Sequence, residues 1–107
     1  MASFTITPVE KGIMRCRHTG PFSPEDVQAL AAFLYDYRGK LLVDLSEAGD
    51  DADCARHIRQ FRPMMPTTAI FGADLDLSIV EIPDSYYVHE VEILPNEEEA
   101  LRWLREQ

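Results

Sequence analysis

The sequence predicts one α/β domain, a mixed sheet with amphipathic helices laid against it, in the order ββαβαβ(α)βα. Three observations predict it. Two short alternating segments meet at a glycine turn near the start, a capped amphipathic segment follows, and Leu41-Leu42-Val43-Asp44-Leu45 forms an unbroken apolar run between two helical patterns. A run of that kind reads as a strand buried on both faces, central in the sheet and parallel to a neighbour.

Each element has its own local signal. Residues Phe4 to Val9 place Phe4 and Ile6 on one side at a period of two, as a half-buried strand does. Pro8 to Gly12 carries turn chemistry, and Ile13 to His18 reads as the second strand of a hairpin. One face of that strand holds Met14, Cys16 and His18, and the other holds Ile13, Arg15 and Arg17. Ser23 is a suitable N-cap, Pro24 fits the first helical position, and Asp26 stands where a capping box needs an acid. Phe22 and Val27 are placed for a hydrophobic staple. Val27, Leu30, Ala31, Leu34 and Tyr37 recur at helical spacing, and Gly39 is read as the residue that ends this helix.

After the apolar run, an acidic loop from Ser46 to Asp50 leads into a helix over 51–62. Asp50 or Asp51 is its cap, Ala55, Ile58 and Phe61 form its inner stripe, and Pro63 stops it. Thr67 to Phe71 is a further strand ended by Gly72. Residues 74–83 fit helix and strand alike, with a short helix preferred. Val88 to Leu94 alternates as the last strand. Asn96 with Glu99 opens a closing helix whose apolar side is Ala100, Leu101, Trp103 and Leu104.

Bulk properties bound the function. A chain of 107 residues with 46% hydrophobic and 27% charged residues forms a core without staples. Cys16 and Cys54 are too few for a disulfide framework. No signal peptide or membrane-spanning run is present in the sequence, so the default compartment is the cytoplasm. The net charge of −9 repels phosphate backbones and anionic headgroups, which disfavours nucleic-acid and membrane-surface binding.

The hairpin, the capped helix, the strand Lys40 to Ser46, the strand Thr67 to Gly72 and the closing segment Asn96 to Leu104 together resemble the SpoIIAA-like family, of STAS/SEC14 type. The tail carries most of the likeness, because that family typically ends in a strand followed by an acidic Glu-Glu-Ala-x-x-Trp-Leu helix. The resemblance spans nearly the whole chain. It implies a four- or five-stranded sheet with helices mainly on one face. It also implies kinship with anti-sigma-factor antagonists, which bind a partner kinase and are switched by phosphorylation of a serine. That serine follows an Asp-Leu-Ser strand end. Here Asp44-Leu45-Ser46 is present, but no Ser or Thr lies between Glu47 and Cys54, and Asp53 falls near the phosphorylated position. Acids near helix starts are also favoured by the helix dipole.

Four groupings are weighed for chemistry. Asp44, Glu47, Asp50, Asp51 and Asp53 gather after the buried strand, where α/β sheets tend to hold ligands; they are a solvated capping loop or a seat for a divalent or other cationic group. Cys16, His18, Cys54 and His57 form a Cys-x-His plus Cys-x-x-His set that zinc would suit if the two faces met; otherwise each cysteine is a small buried residue. Arg56, Arg59 and Arg62, with Arg15 and Arg17, form a basic stripe for an acidic or phosphate-bearing partner, or a solvated face. Met64, Met65, Phe61, Phe71, Tyr86 and Tyr87 line an apolar pocket or belong to core and rim. No nucleophile is supported: Ser23 is a cap, and Ser46 and Ser85 lack an elbow or base.

The expected role is therefore a non-enzymatic regulatory or protein-interaction module without a cofactor. Its expected binding residues are Ser46, Asp50, Asp51, Asp53, Arg56 and Arg59. The alternative is a small carrier of an apolar or lipid-like ligand. A protein partner is expected, and a homodimer is left open.

Overall fold

In a computed structural model of the chain, the residues described are 4–20, 23–49, 51–61, 64–73 and 90–107. Among them the elements are β1 (Phe4–Glu10), β2 (Ile13–His18), α1 (Pro24–Asp36), β3 (Lys40–Asp44), α2 (Asp51–Phe61), β4 (Thr68–Phe71), β5 (Val91–Ile93) and α3 (Glu97–Arg105). The strands form a five-stranded sheet in the order β1-β2-β3-β4-β5. β1 is antiparallel to β2, and every later neighbouring pair is parallel. The fold is α/β with a mixed sheet. The segment 74–83, together with Phe22, Pro63 and the expected start of the last strand at Val88, lies outside the described residues.

The hairpin turns at Gly12, whose φ of 84° favours a residue without a side chain. Register shifts between Pro8 and Glu10. Pro8 has no N–H to give a ladder, and an irregular edge strand accommodates it. At α1, the Ser23 hydroxyl accepts from the Asp26 N–H and the Asp26 carboxylate accepts from the Ser23 N–H, both at 3.1 Å. That reciprocal box contributes about 1 kcal/mol to an isolated helix start.

The end of α1 corrects the reading of Gly39. The helix stops at Asp36, and Tyr37 is the C-cap in extended backbone (φ −77°, ψ 133°) with its N–H on the Phe33 carbonyl. Gly39 has a different task. A Cβ there would run into the Tyr37 hydroxyl and approach the Gly12 carbonyl to 2.9 Å. The tyrosine ring folds back over the glycine, and its hydroxyl donates to the Lys40 carbonyl at 2.6 Å.

β3 has neighbours on both sides, β2 and β4, and every residue from Leu41 to Asp44 is buried. Alternate residues face opposite layers. Leu41 and Val43 join Cys16, Leu30, Leu34, Ala55, Ile58, Phe61 and Ile70 in the layer beneath α1 and α2. Leu42 joins Ile13, Ala69, Phe71, Ala100 and Leu104 beneath α3. The implied arrangement, helices mainly on one face, therefore holds for α1 and α2, while α3 covers the other face. The physical reason lies in β3 and β4: strands apolar on both sides need cover on both sides. Lys40 fastens α3 in place, its ammonium donating to the main-chain oxygens of Leu104 (2.6 Å) and Gln107 (2.9 Å) at the end of the helix where positive charge is favoured. Among the described residues no helix is long and apolar enough to cross a membrane.

Candidate functional site

The carboxyl end of β3 is built by short-range hydrogen bonds. Asp44 Oδ1 accepts from the Ser46 N–H (2.9 Å) and from the Ser46 hydroxyl (2.6 Å), closing a turn of the kind that short acidic side chains make with the backbone two residues on. The Leu45 N–H donates to the Phe71 carbonyl, and the Ala48 N–H donates to the Leu45 carbonyl. Leu45 and Ala48 are buried and anchor the loop, while Ser46, Glu47 and Gly49 are exposed. From the end of β4, Gly72 (φ 91°) packs directly on the Ser46 backbone. A Cβ at Gly72 would sit 2.8 Å from Ser46 Cα, so the loop and the end of β4 fit together only around a glycine.

Two of the expected acids, Asp44 and Glu47, are brought together, and the cation between them is Arg17. Its Nη2 lies 2.6 Å from Glu47 Oε1 and its Nε lies 3.8 Å from Asp44 Oδ2. Asp51 and Asp53 fall in the first turn of α2, and Asp50 lies outside the described residues. Among the described residues no group of three or more His, Cys, Asp or Glu side chains is arranged to hold a metal ion.

The basic stripe does not assemble as one surface. Arg15 and Arg17 share the Ile13 side of β2, the α3 face, where Arg15 pairs with Glu97. Arg56 is exposed on α2, across the sheet from them. Arg59 is half-buried, with its Nε donating to the Ala55 carbonyl at 3.3 Å. Arg62 lies outside the described residues. The alternation along β2 fixes the parity of Arg15 and Arg17, and the packing of α2 on the opposite layer separates them from Arg56 and Arg59.

Cys16, His18, Cys54 and His57 are all buried. The Cys16 thiol and the His18 Nε2 lie 3.4 Å apart. Burial pushes the Cys16 thiol up to about 12. Burial also lowers His18 to about 4; the Asp26 carboxylate opposes that shift and His57 adds to it, with a smaller opposing effect from Asp44. At neutral pH the pair is a protonated thiol beside a neutral imidazole, sealed in the core. Asp26 is the residue here whose second role escapes the sequence. It is 1% exposed and acts on His18 as well as capping α1. A histidine on the apolar face of a strand is the signal that such a carboxylate is near.

The Met and aromatic residues of 61–71 do not share one cavity. Phe61 and Met65 are buried in the α1/α2 layer and Phe71 in the α3 layer, with the sheet between them. Met64 is 44% exposed. It lines a cleft of about 610 Å³ at the amino ends of the parallel strands, together with residues of the hairpin turn, the end of α1 and the approach to β4. Tyr86, Tyr87 and Ser85 lie outside the described residues.

No family model and no curated protein matches the chain. What its own geometry defines is an α/β domain in which a framed, solvent-exposed polar loop follows the central strand, while Cys16, His18, Cys54 and His57 are buried.

Proposed function

We propose that the chain is a non-enzymatic regulatory or protein-interaction module of the SpoIIAA-like, STAS-like type, acting through the loop after β3 and the outer face of α2. The observation that supports this reading is the construction of Ser46 to Gly49. Hydrogen bonds from Asp44, buried anchors at Leu45 and Ala48, and the close approach of Gly72 hold the backbone, while Ser46 and Glu47 face solvent. A pre-ordered exposed loop loses little conformational freedom on docking to another protein. α1 and α2 cover the same face of the sheet. The strand order therefore reverses nowhere between β2 and β4 to open the crevice in which α/β sheets hold small substrates. Among the described residues the titratable groups with large shifts, Cys16 and His18, are buried in the core.

Affinity capture tests the reading. The wild-type chain and a Glu47→Lys, Arg56→Glu variant, both shown to be folded by circular dichroism, are used as bait in lysate of the native cell, and the eluates are analysed by native mass spectrometry. A protein that binds the wild type stoichiometrically and is lost with the variant supports the module. Equal capture by both baits, or a bound small molecule in place of a protein, overturns it.

A further inference from the structure

The cleft at the amino ends of the parallel strands lies at the opposite end of the sheet from the loop after β3. Its floor is the bare backbone of Gly12 beside the Tyr37 ring, which folds over Gly39. Its polar wall holds Arg38 and Lys40, and its apolar wall holds Leu34, Met64 and Pro66; no Asp or Glu side chain lines it. That last fact is informative in a chain with nineteen acids against ten Lys and Arg. Arg15, Arg17, Arg102 and Arg105 each pair with a carboxylate. Arg38 and Lys40 instead meet main-chain oxygens. Arg38 Nη1 donates to the Tyr35 (3.0 Å) and Tyr37 (3.4 Å) carbonyls, and Lys40 donates to Leu104 and Gln107. Capping the end of α1 satisfies hydrogen bonds of Arg38, but the carbonyl end of a helix carries only about half a charge. The Arg38 charge thus remains largely uncompensated, beside one of the two large apolar side chains exposed among the described residues, Met64.

We propose that this cleft binds a small organic carboxylate, with Arg38 taking the anionic group and Met64, Leu34 and Pro66 taking the apolar body. The guanidinium is the better donor of the two cations. It has five N–H groups in a planar fork that fits a carboxylate, and Nε and Nη2 have no protein partner among the described residues. Lys40 is engaged by the Leu104 and Gln107 main-chain oxygens, and no direct contact is required of it. A volume of about 610 Å³ falls within the usual range for small-molecule sites and suits a body of roughly ten to twenty heavy atoms. The proposal is independent of the interaction loop, since no residue of the cleft belongs to it.

The test uses three probes on the full chain, followed by amide chemical shifts. 4-Phenylbutyrate carries both features, 4-phenylbutanol only the apolar body, and acetate only the anion. Phenylbutyrate is expected to give saturable shifts at Gly12, Gly39, Lys40 and Thr67, and to bind at least about tenfold more tightly than either other probe, the lower end of what a charge-assisted hydrogen bond provides. Arg38→Gln, at an exposed position, should reduce phenylbutyrate binding to the level of the alcohol with the rest of the spectrum unchanged. Met64→Ser should weaken it several-fold and leave acetate unaffected. Binding of the alcohol equal to that of the acid, shifts centred away from these residues, no saturation with phenylbutyrate, or an Arg38→Gln variant that binds as the wild type does would each overturn the assignment.

Discussion

The two faces of the sheet solve the burial problem differently. Under α1 and α2 the layer is thick and carries polar side chains inside it, with His18, Asp26 and His57 all buried. Under α3 the buried layer is an apolar cluster of Ile13, Leu42, Ala69, Phe71, Ala100 and Leu104, with the buried Asp44 alternating with Leu42 on the same side. Its charges stand at the rim in pairs: Arg15 with Glu97, Arg17 with Asp44 and Glu47, Arg105 with Glu10. One face holds polar side chains beneath its helices, and the other packs an apolar centre and pairs its charges around it. The difference teaches where each kind of perturbation will act.

Leu41 and Leu42 give the largest expected effect and the sharpest test of the comparison. They are adjacent in β3, almost fully buried, and point to opposite layers. Leu41→Ala and Leu42→Ala should each lower unfolding free energy by about 3 kcal/mol, the range for a large-to-small change in a packed core. Urea denaturation reads this directly. A cost below about 1 kcal/mol for Leu42→Ala alone would mean that α3 leaves its face only lightly covered.

Acid separates the faces next. The folded His18 holds its proton only below about 4, against an ordinary value of 6.5. The unfolded chain therefore takes up a proton first as pH falls. Stability is complete above 6.5, declines between 6.5 and 4, and is flat with respect to this group below that window. The loss amounts to about 3 kcal/mol at most for a single histidine moved this far. In His18→Leu the decline over that window should shrink to what other groups provide. If the slope persists unchanged, His18 is not the source. The same layer predicts slow thiol chemistry. Cys16 and Cys54 are almost fully buried and Cys16 is raised to about 12. Reaction with a thiol reagent at pH 8 should therefore follow the unfolded fraction as urea is added, and a burst of labelling without denaturant would contradict the burial.

The helix caps show the contrast at smaller scale, and also how far the sequence could be read. Asn96 caps α3 from an exposed position, its side chain accepting from the Glu99 N–H at 2.9 Å. Asn96→Ala should cost about 1 kcal/mol. Asp26→Ala should cost more, about 2 kcal/mol, because a buried carboxylate that bonds the Ser23 N–H and faces His18 is removed, although the Ser23 hydroxyl keeps its bond from the backbone N–H of residue 26. Both caps were readable in sequence because capping chemistry is local, needing only residues three apart. β3 was readable for a related reason: a run with no polar alternate has no solvent face to offer. Gly39 was misread because a glycine that ends a helix and one that makes room for a ring are the same letter, and the Tyr37 ring that decides between them is placed by tertiary packing. The parity of Arg15 and Arg17 was equally plain, but parity does not say on which side α2 will lie. The cleft was out of reach for the same reason, since Gly12, Tyr37, Met64 and Gln107 come together from four separate parts of the chain.

The smallest expected effect on stability is at Arg17, and it separates structure from recognition. Its side chain is 43% exposed and that of Glu47 is 55% exposed, so solvent and salt screen the pair. A double-mutant cycle between Arg17→Gln and Glu47→Gln should give a coupling of at most about 1 kcal/mol, falling toward zero in molar salt. The frame of the loop does not depend on this pair, because Asp44, Leu45, Ala48 and Gly72 hold Ser46 and its neighbours independently. Arg17→Gln therefore exposes the acidic edge of Asp44 and Glu47 without unfolding the domain. If the loop is the surface another protein reads, this variant should change partner capture while its urea midpoint barely moves. Capture and midpoint falling together would instead make the loop a structural strut, and the interaction surface would have to be sought on α2 alone.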